Sequence, residues 1–359
     1  MATRSIRTLV VDDSAFMRTM LKNALSQSPE TEVIGSAPNG REALDKIQHL
    51  KPDVVTLNIE MPGLSGIDVI TQVMNSDPVP IVMVSTKTLQ GAQLTFDALE
   101  RGAVDYVAQP HADKPSSLDR FHHNVIRAVV AAHATDRNRL GSIACTTIRT
   151  PRPIANPHAG LVVAIGVGAG GPATLHRLMP AMPKDFPPLL VTQHMPADFT
   201  GPFARRLDRA AHLDVREARR GDALAPGTML IAPGGQHMRV VRRHGALRVA
   251  FERTAKVAGS RPSVDVLFDS VAGAVGANAI GLVMTGMGDD GADGICKLKA
   301  AGARTLAQDH ASSIVYGMPK AALDTGCVDR VVALSDIPHI LCDMISRTEQ
   351  TAVARAAAN

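Results

Sequence analysis

Short apolar runs alternate with helical periodicity twice along this chain, and that alternation restricts it to parallel, doubly wound α/β sheets. From 6 to about 130 the runs IRTLVVD, EVIGSAP, PDVVTLN, PIVMVST and DYVAQP are separated by amphipathic stretches such as SAFMRTMLKNALSQ and GREALDKIQHL. Residues 134–159 lose the periodicity and gather Pro, Thr, Arg and Asn, as a linker does. A second alternation then runs through LVVAIG, PPLLVTQHM, DVREAR, GTMLIAP, HMRVVRR, LRVAFE, AIGLVMTG, RTLAQD and VDRVVAL. A chain of 359 residues suits two domains, each large enough for its own core. The expected division is a first domain over 1–133, the linker over 134–159, a second domain over 160–347 and a frayed tail over 348–359. The halves share a class but no repeated motif.

The balance of 45% hydrophobic and 20% charged residues belongs to an ordinary globular protein. No run of about 18 apolar residues is present, so no direct membrane insertion is expected. The start MATRSIRTLVVDDS has no signal-peptide core, which leads to the expectation of a cytoplasmic protein. A net charge of +4, two tyrosines and no tryptophan give neither a basic surface nor a stacking platform for nucleic acid. Cys145, Cys296, Cys327 and Cys342 lack CxxC or metal-ligand spacing and read as buried or idle thiols.

Chemistry gathers where the strands stop, because open α/β folds bind ligands at the carboxyl edge of the sheet. Asp12 and Asp13 end the first strand, and paired carboxylates there suit Mg²⁺ as hard oxygen ligands. The pair alone fits equally an N-cap with a solvated neighbour. Asn58 ends the third strand, where a phosphoryl-accepting carboxylate would stand, with Ser85 ending the fourth strand and Gln109 the fifth.

In the second half, TQHMP presents His194 and GLVMTGMGDDG presents Asp290, both placed at strand ends. They are two members of a Ser-His-Asp arrangement. The third should stand on the turn after LVVAIG, and that turn holds Gly168. The turn itself, GVGAGG, satisfies a dinucleotide-binding pattern. The next strand ends in Gln193 and His194 rather than in the acidic residue that would hold a ribose, which weakens a nucleotide-binding reading. Asp289 reads as a loop or cap residue and His237 as structural. Arg261 reads equally as a contact for an acidic segment or as a surface ion-pairing residue.

Over roughly 6–125, the anchors VVDDSAFMR, PDVVTLN, EMPGLSG, MVST and GAVDYVAQP resemble response-regulator receiver domains, which implies a flavodoxin-like fold. The anchors AIGVGAGGP, VTQHMP, LIAPGGQHM, SRPSVDVLF, VMTGMGDDG, LAQD and YGMPKAA extend the resemblance across the chain. Together they resemble the chemotaxis protein-glutamate methylesterase family, a receiver joined by a linker to a Rossmann-like catalytic domain. The resemblance implies a phosphoaspartate at the position of Asn58 and a lysine at that of Gln109. An amide nitrogen is no nucleophile toward phosphorus, and glutamine supplies no cation to clamp a phosphoryl group. Both charges are lost together, and two amides that hydrogen-bond would avoid an unpaired buried lysine. Asp12 and Asp13 remain as a weakened Mg²⁺ site.

In the catalytic domain the resemblance implies a nucleophilic serine at the position of Gly168 and a threonine at that of Ala169. His194 is then the base, Asp290 orients it, and the Met287 N–H donates to the oxyanion. The intact family hydrolyses receptor glutamyl methyl esters, or deamidates glutamines, through an acyl-enzyme. The implied partners are chemoreceptor cytoplasmic helices and the chemotaxis histidine kinase. Without the serine, the expectation is a degenerate member that retains binding or scaffolding. The alternatives are an esterase working through water activated by His194, and a nucleotide-binding module built on GVGAGG.

Overall fold

The structure is a computed structural model describing residues 4–86, 88–110, 116–140, 146–151 and 160–357. The chain divides into two compact units at Cys145/Thr146, inside the stretch expected to be a linker. Of that stretch, 141–145 and 152–159 lie outside the described residues.

The first unit alternates β1 (Ile6–Val11), α1 (Ala15–Leu25), β2 (Thr31–Ala37), α2 (Gly40–Leu50), β3 (Val54–Asn58), α3 (Gly66–Ser76), β4 (Ile81–Ser85), α4 (Leu89–Glu100), β5 (Asp105–Ala108) and α5 (Ser116–His133). The sheet is parallel in the order β2-β1-β3-β4-β5. Every residue of β3 and β4 is buried, as expected for central strands covered on both faces. Side-chain caps fix the helix starts: Ser14, Asn39 and Thr88 accept from the first turn, and Ser65 with Asp68 forms a capping box. The strand order reverses between β1 and β3, which sets Asp12, Asp13 and Asn58 at one switch point. Gly66 is required there, because a Cβ on it would stand 2.4 Å from the Asn58 carbonyl oxygen.

The second unit runs β6 (Val162–Val167), α6 (Gly171–Leu178), β7 (Leu189–Gln193), α7 (Ala197–Ala210), β8 (Asp214–Glu217), β9 (Thr228–Ile231), β10 (His237–Arg243) and β11 (Ala246–Glu252). It continues with α8 (Val264–Val275), β12 (Ala279–Val283), α9 (Ala292–Ala300), β13 (Arg304–Gln308), α10 (Met318–Asp324), β14 (Arg330–Val332) and α11 (Ile337–Ala357). Seven strands form a parallel sheet in the order β14-β13-β12-β6-β7-β9-β8. Its switch point lies at β6, flanked by β12 and β7. Two runs depart from the expected alternation: HMRVVRR and LRVAFE form an antiparallel hairpin outside the sheet. The hairpin is tied to α8 by the Val240 N–H donating to Ser270 Oγ (3.0 Å). Met238, Val240 and Val249 join Leu267, Phe268 and Val271 in the core.

Two further expectations are corrected. Cys296 and Cys327 are not idle thiols; they form a disulfide that links α9 to the segment after α10. Their partners lie 31 residues apart, a spacing that carries no sequence signature. The strand read as AIGLVMTG stops at Val283, so Asp290 sits on a loop seven residues beyond it rather than at the strand end. Cys342 is buried, and burial pushes its thiol up to about 12, as an inert core cysteine should behave.

Candidate active site

Parallel pairing of β12, β6 and β7 brings Gly168, His194 and the 285–290 loop to one carboxyl edge. The turn after β6 is clamped on both sides. The Gly168 N–H donates to Thr285 O (2.9 Å), Gln193 Nε2 donates to Gly168 O (2.8 Å), and the His194 N–H donates to Val167 O (3.0 Å). Gly168 does not lie in the left-handed region, so its backbone makes no demand for glycine. A Cβ at 168 would stand 3.3 Å from His194 Nδ1 and 3.1 Å from both Gly286 Cα and Met318 Sδ. The imidazole therefore faces the missing side chain, and a small one would fit if Met318 shifts slightly.

His194 Nε2 lies 2.6 Å from Asp290 Oδ2. Asp290 also accepts from Ser263 Oγ (2.7 Å), the Val264 N–H (2.8 Å) and the Asp265 N–H (3.0 Å), at the start of α8. Burial opposes its charge, but the hydrogen bond and charge of His194 and the backbone donors outweigh it, holding the carboxyl below its usual value. An ionised Asp290 requires the proton on Nε2, which leaves the Nδ1 lone pair turned toward Gly168. Nδ1 makes no hydrogen bond among the described residues, and the side chain keeps 9% of its surface exposed.

The sequence reading missed the support around this pair. Asp265 Oδ1 accepts from the Gly291 N–H (2.9 Å) and the Gly294 N–H (2.7 Å), so it caps α9 while Asp290 occupies the start of α8. Desolvation raises Asp265 to about 6 against the Gly294 bond, and neighbouring Asp290 adds to the rise. His237 is structural, as expected. Its Nδ1 accepts from the Ser263 N–H (3.1 Å) and its Nε2 meets Ala255 O (2.9 Å), fixing Ser263 against Asp290. Ser263 had a legible signal, since SVD before an apolar run marks an N-cap. Nothing in the sequence linked it to Asp290.

Met287 follows a pinned residue. Gly286 O accepts from the Gly317 and Met318 N–H groups (2.9 and 2.8 Å), and the Gly286 N–H donates to Val315 O (2.9 Å). The Met287 N–H has no acceptor among the described residues and adjoins the Gly286 Cα that borders position 168. It is thus available for an oxyanion. Asp289 is an exposed loop residue, and Arg261 donates from Nη1 to Thr254 O (2.7 Å) instead of forming an ion pair. In the GVGAGG turn, a Cβ on Gly170 would meet Ile314 at 2.6 Å and one on Gly171 would meet Gln193 Oε1 at 2.2 Å. These glycines make room for the protein's own side chains.

At the edge of the first unit, Asp12 is fully buried, Asp13 is exposed and Asn58 is buried. Asn58 Nδ2 donates to Asp13 Oδ1 (2.9 Å) and to Glu60 O (3.1 Å). Asp12 Oδ1 accepts from the Ser14 N–H (2.9 Å), whereas Oδ2 is buried without a partner. Desolvation raises Asp12 to about 6, partly offset by Ser14 and reinforced by Asp13. The donor set fits a hard cation poorly, because Asn58 presents N–H rather than oxygen to Asp13 and Glu60 O. No hydrogen bond joins the two amides among the described residues. Gln109 donates its backbone N–H to Ser85 O (2.8 Å), and its side chain has no hydrogen bond among the described residues. Ser85 Oγ turns toward α4, donating to Gly91 O (3.1 Å) and accepting from Thr95 Oγ1 (2.7 Å).

Residues 163–341 match the family model described as CheB methylesterase, and residues 8–124 match that of the response regulator receiver domain. The chain is 45% identical over 348 residues to a protein-glutamate methylesterase/protein-glutamine glutaminase of Sulfurimonas denitrificans, covering 95% of this chain and 99% of the relative. It is 47% identical over 342 residues to protein-glutamate methylesterase/protein-glutamine glutaminase 1 of Caulobacter vibrioides, covering 95% and 98%. The crystal structure of the Thermotoga maritima CheB methylesterase catalytic domain is 37% identical and superposes with a TM-score of 0.51, covering 52% of this chain and all of that one. With likeness over both units and nearly its full length, the chain belongs to the protein-glutamate methylesterase/protein-glutamine glutaminase family.

Proposed function

We propose that this chain is a degenerate member of the family, which binds chemoreceptor cytoplasmic helices but has lost both ester hydrolysis and phosphorylation control. The observation that carries this reading is the partnerless His194 Nδ1 facing a glycine, with the aspartate, its donors and the Met287 N–H all in place. The assembled dyad keeps a second reading open, in which His194 activates water against a bound ester. Removal of one triad member leaves residual catalysis on the order of 10³–10⁴ over water, so this second activity would be slight. Methanol release from methylated receptor distinguishes the two. Turnover at the rate of an intact esterase overturns the degenerate reading.

In the receiver, Asn58 accepts no phosphoryl group, and the chemotaxis histidine kinase remains a docking partner rather than a donor. Asp12 and Asp13 hold Mg²⁺ at most weakly, and no step is assigned to the ion. Small phosphodonors with Mg²⁺ leave the intact mass unchanged; an acid-labile phosphate on the receiver overturns this part. A cytoplasmic location accords with these partners, and no described helix is long and apolar enough to cross a membrane.

A further inference from the structure

We propose that His194 is itself an acyl acceptor, taking a small acyl group onto Nδ1 from activated donors such as aryl esters. This activity uses the same dyad but stands apart from the loss of receptor ester hydrolysis. Three observations converge on it. Nδ1 has no hydrogen-bond partner among the described residues, and the His194 side chain is 9% exposed. It faces the space a side chain at 168 would fill, where a carbon at the Cβ position would be 3.3 Å away. A carbonyl carbon entering that space comes within attack distance of the lone pair. The other ring nitrogen is held at 2.6 Å by Asp290, whose carboxylate is fixed by Ser263 Oγ and two backbone N–H groups.

The chemistry balances without a further reagent. The Nδ1 lone pair adds to the carbonyl carbon, and the carbonyl electrons move to an oxygen that the free Met287 N–H can bind. Collapse of the adduct breaks the carbon–oxygen bond and expels a phenolate. Nδ1 now carries the acyl group, Nε2 keeps its proton, and the positive ring lies against Asp290. Water then adds to the acyl carbon and the carbon–Nδ1 bond breaks. Imidazole returns unchanged, and the carboxylic acid product releases its proton to solvent.

The leaving group sets the substrate class. Neutral imidazole leaves a tetrahedral adduct far more readily than methoxide does, so an adduct with a glutamyl methyl ester reverts. A nitrophenolate competes with imidazole as a leaving group, so an activated aryl ester goes forward. A serine at 168 would stand between the ester and the ring, leaving histidine as a base. Glycine exposes the ring as the nucleophile.

The test uses the full chain and p-nitrophenyl acetate. A stoichiometric burst of nitrophenolate is expected, with an acetyl group on the His194 peptide after acid quenching. His194→Gln should abolish both. Gly168→Ala retains His194 and Asp290 but places a methyl 3.3 Å from Nδ1. It should slow the burst by about 10²-fold, the order for blocking a near-attack position. Gly168→Ser should move the acetyl group to the new hydroxyl. A burst unchanged by Gly168→Ala, an acetyl group found only on other residues, or turnover without acetylated His194 overturns the proposal. Methanol release from methylated receptor would instead sink the degenerate reading and leave acylation of His194 standing.

Discussion

On the proposed reading each unit lacks the group around which the family's site is organised, and the surroundings of the two positions differ. In the receiver, the amide of Asn58 turns its N–H groups onto Asp13 and Glu60 O, so the position is refilled by bonds an aspartate could not make. In the methylesterase unit nothing replaces the missing side chain. His194 still bonds Asp290, Asp290 still receives Ser263 and two N–H groups, and Nδ1 is left facing glycine. The difference follows from what each lost group did for its neighbours. A carboxylate beside two others must be compensated in charge, whereas a hydroxyl at the end of a hydrogen-bonded chain can go without disturbing the links behind it.

The largest effect should come from refilling the vacated position. Gly168→Ser, assayed by methanol release from methylated receptor beside the parent protein, should raise turnover roughly 10⁴–10⁶-fold, the order by which loss of the nucleophile lowers it. The backbone permits the change, because Gly168 is outside the left-handed region, and the tightest side-chain contact is the mobile thioether of Met318. No gain would mean that the site is not assembled as its geometry indicates. The matching change in the receiver, Asn58→Asp, should not restore labelling by phosphodonors, since Gln109 still supplies no cation.

The units should also differ in how they are held. The Cys296–Cys327 disulfide closes a 31-residue separation, for which chain entropy gives about 3–4 kcal/mol. Reduction should lower the unfolding free energy of the methylesterase unit, read by urea titration, by that amount and leave the receiver's midpoint unmoved. Equal shifts in both, or none in either, would break the contrast.

Fold and site were unequally legible in the sequence. The strand runs appeared because period and composition are local properties, and His194 and Gly168 because they directly follow strand ends. The disulfide, the bond from the hairpin to α8 and those joining His237 to Ser263 and Ser263 to Asp290 depend on contacts 26 or more residues apart. Local pattern carries no record of such partners. The length of the 284–290 loop escaped notice for a different reason: VMTG is as apolar as the strand it follows.

A smaller effect concerns charge left behind in the receiver. Asp12 is fully buried with one oxygen unpartnered, and desolvation raises it to about 6 from 3.8. A raised folded-state value means that this group favours folding below about pH 3.8, and that the benefit is lost as pH rises through about 6. Asp12→Asn should therefore stabilise the receiver at pH 7.5 by about 1–3 kcal/mol and have little effect at pH 4. Asp290 has the opposite sign. Its lowered value contributes stability above the ordinary carboxylate range, which is lost as pH falls through the folded value. Urea titrations of both units at the two pH values check the pair, and a stabilisation by Asp12→Asn equal at both would refute the burial argument.

The smallest effect decides whether the receiver's two amides act together. The sequence suggested a coupled replacement of two charges by two amides, but Asn58 bonds Asp13 and Glu60 O while the Gln109 side chain makes no hydrogen bond among the described residues. Asn58→Ala should cost about 1–3 kcal/mol, because it removes a bond to a charged acceptor from a buried position. Gln109→Ala should fall within about 0.5 kcal/mol of neutral, as for a side chain without partners. If the two act independently, the double variant should match the sum to within about 0.5 kcal/mol, the additivity of uncoupled sites. A coupling above about 1 kcal/mol would mean that the amides pair in solution, and that the receiver was refilled by two residues acting together rather than by Asn58 alone.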